Sequence, residues 1–178
     1  MATVPGVLGP IDTAELGFTL MHEHVLVANW AMRHAFPDWI DREAHVRKAT
    51  AEVLAAKARG VGTIVDLTPI NLGRDISIIR EVAERAQMQI IAATGLYWAE
   101  EPWLAAWPAD ALVDWLLRDL LEGIEGSDVR AGIIKCATYQ AETFFYFLTE
   151  ENDGAQSHND DQHEHDGVFG GCRSLFFY

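Results

Sequence analysis

Apolar positions along this chain follow two alternating rhythms as far as residue 138. A first apolar run predicts a strand over 17–25. Residues 42–59 then carry Val46, Ala49, Val53, Leu54 and Ala56 at helical spacing, with Asp41 as N-cap and Gly60 as the stop. A strand is expected over 62–67, then a helix over 75–87 with Ile76, Ile79, Val82, Ala83 and Ala86 on one face. Further strands are expected over 89–94 and 131–137, with a helix over 109–123 between them. The loop after the first strand holds Trp30, His34, Phe36, Pro37 and Trp39, and the loop 95–108 is rich in tryptophan and proline. Strands alternating with helices predict βαβ units around a parallel sheet, an α/β fold.

After residue 138 the rhythm stops. Residues 139–178 hold an aromatic run, a polar stretch and a second aromatic cluster. The chain is therefore divided into an α/β unit, 1–138, and a divergent acidic and aromatic tail, 139–178. The Asn, Asp, Gln, Ser and Gly content of 152–167 predicts a disordered, solvated segment. The aromatic patches 144–147 and 175–178 either cover exposed sheet edges or promote aggregation.

Charge adds to this division. The formal net charge is −14. Residues 1–138 hold 12 basic and 19 acidic residues, and the tail holds one arginine and 8 acids, so each part carries −7. Such a surface repels nucleic acid and anionic membranes, and neither is expected as a partner. Cys136 and Cys172 make no disulfide framework, which fits a reducing cytoplasm. The N-terminus does not read as a signal peptide, and no apolar run approaches the ~18 residues of a membrane span.

Candidate chemistry lies at the strand ends. In His22-Glu23-His24, period-two alternation aims both imidazoles from one face, a geometry that can hold a divalent transition metal. The alternative is one histidine capping the strand and one on the surface. Glu23 should face the other way. Lys135 lies in the apolar run Ala131-Gly132-Ile133-Ile134-Lys135-Cys136. A buried lysine amine loses its charge readily and becomes a nucleophile that can take up carbon dioxide as a carbamate. The alternative is a lysine that snorkels to water. Asp66 is a metal ligand, a carboxylate orienting a ligand, or a loop cap, the last two being favoured. Arg74 and Asp75 read as a structural helix start, and His34 and His45 as surface residues. In the tail, His158, His163 and His165 stand among acids that can bind metal weakly.

Four segments together carry a resemblance: Gly17-Phe18-Thr19-Leu20-Met21-His22-Glu23-His24, Asn71-Leu72-Gly73-Arg74-Asp75, Ala92-Ala93-Thr94-Gly95-Leu96-Tyr97-Trp98 and Ala131-Gly132-Ile133-Ile134-Lys135-Cys136-Ala137-Thr138. In order and spacing the chain resembles the phosphotriesterase family of the amidohydrolase superfamily, which includes organophosphate hydrolases and phosphotriesterase-like lactonases. The resemblance covers about residues 3–138. It implies the N-terminal half of a TIM (β/α)8 barrel, strands 1–4, followed by the unrelated tail. A whole barrel takes roughly 250 residues, against 178 in this chain.

The resemblance implies metal roles for His22 and His24, and for Lys135 as a carbamylated bridge between two divalent cations. Zinc is the expected metal, with Mn, Co or Fe as alternatives. It implies that Tyr97 and Trp98 wall the leaving-group pocket, although tryptophans there can also simply cover the barrel top. The implied activity is metal-dependent hydrolysis of a phosphotriester or lactone, a small-molecule substrate, by a hydroxide held between the metals. The later family ligands, two histidines and an aspartate, have no counterpart after Thr138. The competing expectation is therefore a truncated or frame-shifted member, catalytically inactive. Two other expectations are half barrels pairing into a homo-oligomer and a non-catalytic metal-binding protein using the tail.

Overall fold

The computed structural model describes residues 2–97, 106–138 and 141–145, with backbone alone at 30 and 134–145. The chain begins with an antiparallel hairpin of β1 (Thr3–Gly6) and β2 (Gly9–Asp12), which the apolar pattern did not predict. Pro5 and Pro10 are tolerated because a two-stranded ribbon is all edge. The main sheet follows, in the order β3 (Phe18–Glu23), β4 (Val61–Asp66), β5 (Gln89–Leu96), β6 (Ile133–Thr138) and β7 (Ala141–Phe145). The first four strands are parallel, as expected.

A seventh strand lies past residue 138, where the apolar pattern predicted none. It pairs antiparallel with β6, from Thr138↔Ala141 to Ile134↔Phe145. A parallel neighbour needs a crossover of a dozen or more residues, whereas a two-residue link allows only a hairpin. Residues 141–145 therefore continue the sheet. The disorder expected at 152–167 and the tail histidines lie outside the described residues.

Helices α1 (Trp30–Ala35), α2 (Arg42–Lys57), α3 (Ile76–Ala86) and α4 (Ala109–Leu121) connect these strands. Of these, α1 was read as loop. The Asp41 side chain accepts from Ala44 N at 2.9 Å, and Asp75 accepts from Ser77 N and Ile78 N. The two carboxylates satisfy backbone donors that the first turns of α2 and α3 leave unpaired. All five apolar positions expected on α3 are buried. On α2, Val46, Ala49, Val53 and Ala56 are buried, but Leu54 is 45% exposed, contrary to expectation. Leu54 stands one helical step, ~100°, away from Val53 and so leaves the buried stripe.

Two apolar layers flank the sheet. Ile64, Ile90 and Ala92 join the helices on one side. Val65, Leu67, Ile91, Ala93 and Ile133 join Ile11 of the hairpin on the other. Alternate residues of β4 and β5 thus face opposite layers, as period two requires.

His45 corrects a second expectation. It is 3% exposed, and its Nε2 lies 2.9 Å from the Val25 carbonyl, tying α2 to the chain beyond β3. Burial holds its pKa below the ordinary imidazole value, although the Val25 contact acts the other way. A depressed folded pKa contributes stability that is present above the unfolded value of ~6.5 and lost as pH falls through the folded value. Between about pH 7.5 and about pH 5.5, the urea midpoint should therefore fall more in the parent chain than in His45→Gln. Equal pH dependence in both would rule His45 out as the source.

Candidate metal centre

The site begins with a register break. Leu20 pairs with Ile64 and Glu23 with Asp66, so three steps along β3 match two along β4. One extra residue is accommodated, a β-bulge that re-aims the side chains after it. Leu20 and Val25 are five residues apart, yet both pack in the layer beneath the helices. Simple alternation would put them on opposite faces. The bulge resets the alternation, so that His24 and Val25 take opposite sides near the C-terminal end of the strand.

His22 and His24 are brought together. Their ring centroids lie 5.3 Å apart with the planes at 75°. His24 is 8% exposed, and its Nδ1 is 3.0 Å from Thr68 Oγ1. Two edge-on imidazoles at one strand end fit a divalent transition cation, which takes neutral imidazole nitrogen readily. Among the described residues, no third His, Cys, Asp or Glu completes a ligand cluster with them.

Lys135 enters from the fourth parallel strand. It is paired with Gly95 and lies two residues beyond Ile133, which packs in the layer with Ile11 of the hairpin. Its side chain lies outside the described residues, as does the whole of Trp98. Tyr97 is half-buried, and its backbone is held from both sides by Asn71: Tyr97 N donates to Asn71 Oδ1 at 2.6 Å, and Asn71 Nδ2 donates to Tyr97 O at 3.1 Å.

Asp66 is fully buried and has a structural role. Its Oδ2 accepts from Val25 N and its Oδ1 from Thr68 N, each at 2.8 Å. Burial pushes its carboxyl up. The Thr68 hydroxyl, the two backbone donors and the Arg74 charge oppose that rise without cancelling it.

The Asn71–Asp75 segment is likewise explained by structure. Gly73 has φ +77, and a Cβ there would stand 2.1 Å from the Ala28 carbonyl oxygen, so only glycine fits. Arg74 does not pair with Asp75. It reaches Asp119 Oδ2 at 2.9 Å, Glu125 Oε1 at 3.1 Å and the Ala93 carbonyl at 3.0 Å, while Asp75 pairs with Arg33. Thr94 donates to Asp119 at 2.5 Å. Sequence reading missed Thr68 and this Arg74 network. The only signal for them was polar residues at the ends of otherwise apolar strands.

A sequence model of the phosphotriesterase family matches residues 2–144. The chain is 42% identical over 140 residues to the phosphotriesterase homology protein of Mycobacterium tuberculosis, covering 73% of this chain and 43% of that protein. It is 36% identical over 129 residues to an aryldialkylphosphatase of Saccharolobus solfataricus, covering 71% and 41%. The solved structure of the phosphotriesterase from Mycobacterium tuberculosis matches with TM-score 0.70 at 40% identity, covering 76% of this chain and 45% of that one. The chain thus spans less than half the length of these relatives.

Proposed function

The chain belongs to the phosphotriesterase family, and from that premise we propose that it forms the first half of a metal-dependent hydrolase barrel acting on phosphotriesters or lactones. The observation that carries the reading is the meeting of His22 and His24, 5.3 Å apart, at the end of the first parallel strand. In this reading the two imidazoles, together with Lys135 as a carbamate, hold two divalent cations, zinc by preference. When bound, such cations supply Lewis-acid polarisation and lower the pKa of water toward neutral.

The chain's own residues do the rest. The i, i+2 spacing just past the bulge in β3 puts the two rings on one side, and Lys135 stands in β6 in register with Gly95. Asn71 fixes the backbone of Tyr97 just past the end of β5; the wall of the leaving-group side that we assign to Tyr97 and Trp98 rests on the family resemblance. The substrate is a small molecule.

A second reading is favoured by the antiparallel β7, which takes the place beside β6 where a parallel barrel would continue. In it, the chain keeps metal ligands without a complete site and does not turn over alone. One experiment serves both. The purified chain is loaded with Zn2+, its metal content is measured, and hydrolysis of an aryl phosphotriester and of a lactone is followed with and without chelator. Bound zinc that is lost in His22→Ala and His24→Ala supports the metal centre. Turnover abolished by chelator and restored by metal selects the first reading, and bound zinc without turnover selects the second. Zinc retained by both variants would overturn the assignment.

A further inference from the structure

Thr68 lies just past β4 and is fully buried. Its hydroxyl oxygen is 3.0 Å from His24 Nδ1, and its backbone N–H donates to Asp66 Oδ1 at 2.8 Å. Asp66 Oδ2 in turn takes the N–H of Val25, the residue after His24. Asp66 therefore grips both the chain beside His24 and the residue that touches its ring.

The direction of the hydrogen bonds follows. The Thr68 hydroxyl can turn its proton toward the Asp66 carboxyl that its own backbone N–H engages, which leaves the Thr68 oxygen as acceptor toward His24. An imidazole nitrogen that meets an acceptor carries the proton. We propose that Thr68 is a positioning residue that holds His24 with its proton on Nδ1, directing the Nε2 lone pair to the metal site. The inference rests on the metal-centre reading for what Nε2 binds; the place of the proton rests on the hydrogen-bond chain alone. An outer partner that fixes tautomer and ring angle raises metal affinity, because the ligand need not reorient on binding.

Histidine 15N NMR of the metal-free full chain tests this, with the His24 signal assigned by its loss in His24→Gln. The expected result is a proton on Nδ1 in the parent chain and in Thr68→Ser, and loss of that preference in Thr68→Val. Zn2+ titration against a competing chelator should show affinity weakened about 10–100-fold in Thr68→Val and close to the parent in Thr68→Ser. A proton on Nε2 in the parent overturns the inference, as does a Thr68→Val chain that keeps both tautomer and affinity. If Thr68→Val does not fold, the parent and Thr68→Ser spectra decide. A parent chain that takes up no zinc sinks the metal reading and leaves the tautomer to decide this inference by itself.

Discussion

Replacing Arg74 with methionine is expected to destabilise the chain by about 3–5 kcal/mol, the cost of removing one partner from a buried ion pair. The Arg74 side chain is 3% exposed and reaches Asp119, whose side chain is 12% exposed. Methionine matches the stem but offers no donor. Asp119 would keep the Thr94 hydroxyl, and the Ala93 carbonyl would lose the arginine donor. Glu125 contributes less, because its side chain is 38% exposed and solvent screens it. Asp119→Asn should therefore cost less than Arg74→Met, since arginine keeps the Ala93 carbonyl and Glu125. The double variant should cost less than the two single losses together, because the second change removes a charge the first has stranded. Urea denaturation of the three variants measures this. A loss below ~1 kcal/mol for Arg74→Met would mean that water reaches Asp119 and replaces the arginine.

The parts of the fold legible in the sequence were those set by local spacing. Ile76, Ile79, Val82, Ala83 and Ala86 recur at helical intervals, and burial follows from that recurrence. Asp41 and Asp75 could be read as caps because a cap acts within three residues. The His22–His24 spacing was legible for the same reason. What failed depended on partners distant in sequence. Val25 meets the His45 ring across 20 residues, and Arg74 meets Glu125 across 51. The bulge in β3 left no mark on composition, because the register of one strand exists only against its neighbour. No strand was expected over Ala141–Phe145, because the antiparallel pairing that makes β7 exists only against β6.

Asp66→Ala should cost about 2–5 kcal/mol, because it strands the backbone donors of Val25 and Thr68 inside the protein. Asp66→Asn should cost about 1–3 kcal/mol: its carbonyl serves one donor, and its amide turns N–H against the other. The pH dependence then tells burial apart from hydrogen bonding. Burial raises the folded pKa of Asp66. A raised folded pKa contributes stability that is fully present below the unfolded value of ~3.9 and lost as pH rises through the folded value. Asparagine does not titrate, so the gap between parent and Asp66→Asn should be widest in acid and narrow toward neutral pH. Comparing the two chains at each pH cancels every other titrating group. A gap that widened toward neutral pH would mean that the two backbone donors outweigh burial. Asp66 would then be held as a carboxylate more strongly in the fold than in water, and the strap between Val25 and Thr68 would be strongest where the anion is fully formed.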